Sequence, residues 1–266
     1  RVLSALRFLV CSEGMEKKRE LKAVLFDMDG VIIDSEPLWS KAEQQLLARR
    51  NLSYSPQLKA VMMGLDSSEA VGFLIKHYNL QESVGDVVEE RNQLIAGLFR
   101  QFLRPMPHAL QLVRSVHAAE IKTGLASSSP KELVDLALGR LNITGLFDLI
   151  LSGDQVARGK PAADIYLTAA RELGVSHENC LVIEDAPHGV AAAKAAGMCC
   201  LAISTSTNES ELGAADRVIR SFGEVNLQTL QELVQHRVKR SQSRQKNKET
   251  LRVGVNPTPT ILKKRI

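Results

Sequence analysis

The sequence predicts an α/β fold: a three-layer, doubly wound parallel sheet with an all-helical domain inserted into it. After residue 120, short apolar runs alternate with amphipathic stretches, a pattern typical of parallel strands that are connected by helices. One earlier strand-like run precedes residues 36–106, where helical periodicity is sustained and strand signals are weak. With 266 residues, the chain is long enough for one domain plus an insertion.

The predicted elements follow in chain order. The first strand covers residues 22–26, and an insertion of roughly four helices covers residues 36–106 and is closed by Pro105 and Pro107. Further strands are predicted at 121–126, 147–152, 180–183, 199–203 and 217–219, with helices at 131–141, 161–173 and 189–196. The core domain is therefore predicted to comprise residues 21–35 and 107–235.

The two ends of the chain differ from its body in composition. Residues 1–20 are predicted to be a disordered or non-native extension, and residues 236–266 a disordered basic tail. The formal net charge is +4, yet residues 21–236 hold 26 acidic and 19 basic side chains. This balance does not favour a nucleic-acid-binding face on the folded body. No run of residues is long and apolar enough to predict a membrane span.

The four cysteines show none of the spacings of a metal site or a redox motif. Cys180, Cys199 and Cys200 lie in apolar, strand-like runs, where a thiol behaves as a small buried hydrophobic group. Reduced thiols of this kind predict a cytoplasmic protein.

Two carboxylates, Asp27 and Asp29, directly follow the first strand, and Gly30 comes next. Burying an unpaired carboxylate is costly, so both should lie just beyond the end of the strand. Ligands of open α/β sheets bind at this carboxyl edge. Two acids this close repel each other and keep their charge best around a cation. A strand-end turn with solvated acids is the alternative that this short segment leaves open.

Three further polar groups are predicted at the same edge of the sheet. Each has an ordinary structural explanation, since serines and acids cap helices and a Gly-Lys-Pro segment forms loops and helix starts. The presence of all of them in order on one edge favours a functional site instead. They are the serines at 127, 128 and 129, the segment Gly159-Lys160-Pro161, and the acids Glu184 and Asp185.

These segments resemble the four sequence motifs of the haloacid dehalogenase superfamily. The matching stretches are residues 24–36 (VLFDMDGVIIDSE), 126–128, 159–170 (GKPAADIYLTAA) and 182–198 (VIEDAPHGVAAAKAAGM). They are most similar to the β-phosphoglucomutase-like branch with a helical cap, and the resemblance covers residues 21–235. Because most members transfer phosphoryl groups, the resemblance implies a phosphomonoester hydrolase whose cap domain is formed by residues 36–106.

The resemblance also implies roles for the acidic residues. Asp27 would attack phosphorus, and Asp29 would act as general acid and then as general base. Mg²⁺, which prefers oxygen ligands, would bind the Asp27 carboxylate, the Asp29 backbone carbonyl and Asp185. Glu184 would bind this ion either directly or through water.

The remaining site residues would bind the substrate, a small phosphorylated sugar, polyol or nucleoside monophosphate. Lys160 would neutralise the phosphoryl oxygens and the charge of Asp27, while the Ser127 hydroxyl and nearby N–H groups would bind another oxygen. Further candidates for substrate contacts are Ser128 in the core and Glu36, Trp39, Met63 and Gly64 in the cap.

Two stretches of the cap separate a phosphatase from the sugar-phosphate mutases of this branch. The mutase segment D-T-A-x-x-H matches residues 34–39, where Trp39 replaces the histidine. The segment K-G-V-S-R matches residues 63–67, where Met63 and Ser67 replace the lysine and the arginine. Losing a phosphate-binding arginine is not a neutral change. We therefore expect a monomeric phosphatase, with a mutase or a catalytically silent binding protein with a basic tail as the alternatives.

Overall fold

The computed structural model describes residues 19–62, 65, 67–205 and 207–235, apart from the side chain of Ala60. Its sheet consists of β1 (Ala23–Phe26), β2 (Lys122–Ala126), β3 (Leu149–Leu151), β4 (Cys180–Glu184), β5 (Cys199–Ile203) and β6 (Arg217–Ile219). The strand order is β3-β2-β1-β4-β5-β6, and all neighbours are parallel. The predicted doubly wound parallel sheet is thus confirmed.

Helices cover both faces of this sheet. The central strand β1 is accordingly apolar along its whole length, since both of its faces are buried. Val24 and Phe26 point to the layer that contains α5 (Ala109–Ala118) and α6 (Lys131–Leu141). Ala23 and Leu25 point to the opposite layer, which contains α7 (Asp164–Glu172) and α8 (Pro187–Ala195). Alternate residues of a strand face opposite sides of the sheet, so β1 lies at the centre of both hydrophobic layers.

Two helices of the core begin at other residues than the sequence predicted. Helix α7 begins at Asp164 rather than at Pro161, because residues 159–162 form a turn in which Ala162 N donates to Gly159 O over 3.0 Å. Helix α8 begins earlier than predicted, at Pro187. The fixed φ of proline suits the first turn of a helix, so Gly189 lies within the helix instead of at its start.

In its described residues the insertion has four helices, where roughly four were predicted: α1 (Glu36–Ala48), α2 (Pro56–Met62), α3 (Ser67–Tyr78) and α4 (Val84–Phe102). They have a hydrophobic cluster of their own, in which Leu46, Val71 and Leu74 are buried. The two segments that join cap and core run side by side, since Asp34 N donates to Arg104 O (3.0 Å) and Met106 N to Ile32 O (2.9 Å). The exact boundary of the cap, residues 36–106, stays a prediction.

Some predictions concern residues that the structure does not describe. The N-terminal extension up to residue 18, the tail from residue 236 onwards, and the cap residues Met63 and Gly64 all lie outside the described ranges. Among the described helices, none combines the length and apolar character that crossing a bilayer requires.

Candidate active site

Asp27 and Lys160 form an ion pair at the carboxyl edge of the sheet. Asp27 follows β1 directly, and its N–H donates to Ile183 O of β4 over 3.0 Å. Lys160 Nζ lies 2.5 Å from Asp27 Oδ1 and donates to Glu184 Oε1 over 2.7 Å. The same ammonium group donates to Ala126 O at the end of β2 over 3.0 Å. Lys160 therefore contacts groups at the ends of three adjacent strands, β2, β1 and β4.

The electrostatics of this cluster call for more positive charge than Lys160 supplies. Burial raises the pKa of Asp27 well above its ordinary value; Lys160 opposes this effect, while Glu184, Asp185 and Asp29 add to it. Burial would lower the pKa of Lys160, but Asp27 and Glu184 outweigh burial and raise it. The lysine thus stays charged, and a single ammonium group faces several carboxylates. An additional cation would stabilise the ionised form of Asp27.

The acidic residues fit a divalent metal ion. Asp27, Glu184 and Asp185 each offer a carboxylate oxygen, and these oxygens lie within 4.8 Å of one another. Hard oxygen donors of this kind suit Mg²⁺. Gly30 permits the arrangement, because it has φ +72° and a Cβ atom there would lie 2.0 Å from Asp185 Oδ2. The donor set and the excess negative charge both agree with the predicted magnesium site.

Both oxygens of Glu184 already have donors from the protein. Oε1 accepts hydrogen bonds from Lys160 and from the Tyr166 hydroxyl, each over 2.7 Å. Oε2 accepts from Asp185 N (3.0 Å) and Ala186 N (3.3 Å) at the start of α8. Gly189 gives this carboxylate room, since a Cβ atom there would lie 1.7 Å from Oε1. Whether Glu184 would contact a metal directly or through water stays a prediction.

Asp29 is held between the core and the cap. The indole N–H of Trp39 on α1 donates to Asp29 Oδ1 over 3.0 Å, and the Ser129 hydroxyl donates to Oδ2 over 2.9 Å. The Arg91 guanidinium of α4 lies 4.3 Å from the centre of the Trp39 ring. A carboxyl group fixed in this way beside the cavity is suited to proton transfer with a bound molecule.

The serine segment differs in detail from the expectation. Ser128 and Ser129 line the cavity. Ser127 is completely buried, and its hydroxyl accepts a hydrogen bond from Ser129 N over 3.1 Å. The structure therefore places Ser127 in support of the turn, and its proposed contact with phosphate stays a prediction.

Cap residues close the cavity opposite the aspartates. Glu36 and Trp39 line it, and their predicted contacts with a substrate stay predictions. Sequence reasoning missed further polar residues of this lining, although two of them left a signal: Glu43 follows Trp39 by four positions and so shares a face of α1 with it, and Arg91 has the same relation to the apolar residues of α4. The missed residues include Glu43, Tyr54, Lys59 and Arg91 in the cap and His188 in the core, whereas Ser129 belongs to the serine segment already predicted at this edge.

Comparison with known proteins agrees with this site. Residues 24–203 match the family of haloacid dehalogenase-like hydrolases. The chain is 33% identical over 178 residues to a phosphorylated carbohydrates phosphatase of Thermotoga maritima, which covers 67% of this chain and 82% of that protein. It is 34% identical over 208 residues to the mitochondrial (DL)-glycerol-3-phosphatase 1 of Arabidopsis thaliana, which covers 75% of this chain and 70% of that protein.

A solved structure shows the same architecture. The β-phosphoglucomutase of Clostridium difficile superposes with a TM-score of 0.73 at 25% identity, over 82% of this chain and 99% of that chain. The prediction of a phosphomonoester hydrolase is confirmed by the curated relatives. This chain belongs to the haloacid dehalogenase-like hydrolases, in their β-phosphoglucomutase-like branch.

Proposed function

We propose that this chain is a Mg²⁺-dependent phosphatase that hydrolyses a small phosphorylated sugar, polyol or nucleoside monophosphate through an aspartyl-phosphate intermediate. The observation that carries the proposal is the buried Asp27–Lys160 pair beside Glu184 and Asp185, with Asp29 held next to it. The relatives named for phosphorylated carbohydrates and for glycerol 3-phosphate support a small hydroxylated substrate.

The first step transfers the phosphoryl group to the enzyme. An oxygen of Asp27 attacks phosphorus while the bond to the leaving oxygen breaks, and Asp29 donates its proton to that oxygen. Lys160 balances negative charge on Asp27 and on the phosphoryl oxygens. The products of this step are the free alcohol and phosphorylated Asp27.

The second step returns the enzyme to its starting state. Asp29, now a carboxylate, removes a proton from water as the water oxygen attacks phosphorus. The bond between phosphorus and Asp27 breaks, and inorganic phosphate leaves. Mg²⁺ held by Asp27, the Asp29 carbonyl and Asp185 would supply positive charge that stabilises the phosphoryl oxygens.

The charges of the cap favour hydrolysis over a mutase reaction. In the described part of the cavity lining, the cap contributes two cations, Lys59 and Arg91. Lys59 lies 2.7 Å from Glu36, and Arg91 lies 2.5 Å from Glu43. Because each cation is already paired, this lining offers no excess positive charge for the second phosphate of a bisphosphate intermediate.

A phosphatase assay with p-nitrophenyl phosphate tests the proposal. We expect turnover that EDTA abolishes and Mg²⁺ restores, and we expect Asp27→Asn to lose at least about a thousandfold in rate while its circular dichroism spectrum is unchanged. Near-normal activity of D27N, or no turnover in the presence of Mg²⁺, would refute the proposal.

A second assay separates the phosphatase from the mutase. With glucose 1-phosphate and glucose 1,6-bisphosphate as primer, a phosphatase releases inorganic phosphate, whereas a mutase forms glucose 6-phosphate.

Burial of Cys180 and Cys200 agrees with reduced thiols, while the cytoplasmic location and the monomeric state stay predictions.

A further inference from the structure

The cap side of the cavity contains a buried carboxylate that the proposed mechanism does not use. Glu43 of α1 lines the cavity, and its side chain is only 2% exposed. Its Oε1 accepts a hydrogen bond from Arg91 Nε over 2.5 Å. Its other oxygen, Oε2, is buried and has no hydrogen-bond partner among the described residues.

The orientation of this carboxylate is fixed by its neighbours. Arg91 Nη1 donates to Ser67 Oγ over 3.1 Å, and the guanidinium lies against the Trp39 ring. Arg91 is thereby held by α1 and by α3 at once, so the bound oxygen of Glu43 is held with it. Tyr54 lines the same cavity, where burial and then the charges of Glu43 and Glu36 raise the pKa of its hydroxyl.

An acceptor that is buried without a donor destabilises the protein, and most buried polar groups are hydrogen-bonded. A group of a bound ligand can supply the missing donor. A carboxylate only accepts hydrogen bonds, so an ionised phosphate or carboxylate group of the ligand, which has no donor, cannot satisfy Glu43 Oε2. An ammonium group is not favoured either, because Arg91 already neutralises Glu43. A hydroxyl group is the donor that fits.

We infer that Glu43 determines substrate specificity by accepting a hydrogen bond from a hydroxyl group of the leaving alcohol, so that the substrate is a phosphate monoester of a polyhydroxylated alcohol. Arg91 acts through Glu43 and is a positioning residue. The inference rests on the proposed function, since Asp27 must first cleave phosphate monoesters.

Matched pairs of substrates test this inference. Sorbitol 6-phosphate is compared with n-hexyl phosphate, and glycerol 3-phosphate with n-propyl phosphate, so that each pair differs in hydroxyl groups and not in carbon number. We expect wild-type kcat/KM to favour the hydroxylated member of at least one pair. Glu43→Gln keeps an oxygen for Arg91 but replaces the free acceptor with a donor, and we expect it to reduce that preference by about tenfold or more.

The other substrates and one surface variant serve as controls. In E43Q, kcat/KM for the hydroxylated substrates should fall by more than kcat/KM for the alkyl phosphates and for p-nitrophenyl phosphate, so the ratio within each pair is the readout. Glu89→Gln makes the same change of charge at an exposed position of α4, where Glu89 accepts a hydrogen bond from Gln93 over 3.2 Å. We expect E89Q to retain the wild-type preference.

Several results would overturn the inference. One is a wild-type enzyme with no preference for hydroxylated substrates, and another is an E43Q variant that loses rate on all substrates equally, as a purely structural role predicts. If E43Q lowered kcat/KM only for 3-aminopropyl phosphate, Glu43 would instead recognise an ammonium group of the substrate. Absence of p-nitrophenyl phosphate turnover would refute the proposed function as well, whereas turnover without hydroxyl selectivity refutes only the role of Glu43.

Discussion

Replacing Trp39 with phenylalanine should slow the reaction selectively for substrates with poor leaving groups. The Trp39 indole N–H of the cap forms a hydrogen bond of 3.0 Å to Asp29, the proposed general acid. Phenylalanine removes that N–H but retains an aromatic ring against Phe99, whose centroid lies 6.3 Å from that of Trp39. The variant thus removes one hydrogen bond while it preserves most of the apolar contact.

The magnitude follows from the two donors of Asp29. A hydrogen bond to a charged group contributes about 1.5–3 kcal/mol, and Ser129 still holds the other oxygen over 2.9 Å in the variant. We therefore expect a loss of about 1–2 kcal/mol in the orientation of Asp29. This loss corresponds to a fall of roughly 5- to 30-fold in the rate of a step that requires its proton.

The assay compares two leaving groups by kcat/KM, which reports the steps up to phosphorylation of Asp27. An alkoxide must be protonated as it departs, so n-propyl phosphate should show the full loss. The p-nitrophenolate anion is stable without a proton, so p-nitrophenyl phosphate should change by less than about threefold. Asp29→Asn gives the upper limit of the difference between the two substrates.

Phe99→Leu is the matched control for Trp39→Phe. Phe99 is buried and contacts the Trp39 ring, so the substitution disturbs the same part of the cap and leaves the Trp39–Asp29 hydrogen bond in place. We expect F99L to affect both substrates alike. If W39F also lowered kcat/KM equally for both leaving groups, or raised it for the alkyl phosphate, Trp39 would not position the general acid.

Two further predictions concern stability and its dependence on pH. Gly189→Ala should destabilise the fold by about 1–3 kcal/mol and reduce activity, because the added Cβ would lie 1.7 Å from Glu184 Oε1. Gly139→Ala in α6 is the control: the added Cβ would meet no neighbouring atom within 4 Å. We expect this variant to be more stable than wild type by about 0.5–1 kcal/mol. Urea denaturation measures both, and an equally stable, fully active G189A would contradict the tight contact. Burial raises the pKa of Asp148, but hydrogen bonds from Thr123 and Lys122 outweigh burial and lower it. Its ionised form therefore stabilises the fold above the pKa of the unfolded chain, and this contribution is lost as the pH falls through the folded-state value. Asp148→Asn should be about 1–2 kcal/mol less stable than wild type near neutral pH, and this gap should narrow in strong acid; a gap independent of pH would refute the assignment.

The core of the site could be predicted from the sequence because local rules place it. A parallel strand ends at a known edge of the sheet, and the carboxylates and serines of the core site lie at or just beyond such strand ends. The sequence analysis could therefore place Asp27 and Glu184 at the same edge of the sheet without any knowledge of tertiary contacts. Lys160 is less obvious, because its ammonium reaches the site only through the turn at residues 159–162 that delays α7.

The cap side of the site could not be predicted in the same way. The Glu43–Arg91 bond joins positions 48 residues apart, and no periodicity of a single helix specifies how two helices pair. The sequence did hold a partial signal, since Arg91 lies four positions from Val87 and from Ile95, both buried. A charged residue on an apolar helix face requires a buried partner, and Glu43 on α1 has the same anomaly. Each helix alone shows only half of the pair.

The serines show a different limit of sequence reasoning. Ser127, Ser128 and Ser129 are chemically alike, and only the backbone of the turn decides which hydroxyl faces the cavity. Ser127 continues from β2, and its N–H donates to Leu151 O over 3.0 Å, which keeps it inside the sheet. Ser129 lies beyond that last ladder bond and reaches Asp29. Which of these equivalent serine hydroxyls faces the cavity thus depends on the residue at which the strand ends.

Core and cap divide the chemistry between them, and Arg91 connects the two cap functions. The core holds Asp27 directly after β1 and Lys160 in the turn before α7, and the two form a buried ion pair. The cap supplies the donor that orients Asp29 and the acceptor that we assign to the leaving alcohol. The Arg91 guanidinium contacts the Trp39 ring and also binds Glu43. A ligand that binds Glu43 therefore also stabilises the position of Arg91 against the Trp39 ring. Recognition of the alcohol and orientation of its proton donor are therefore expected to be energetically coupled, so that an alcohol that fits is also the one that is protonated efficiently.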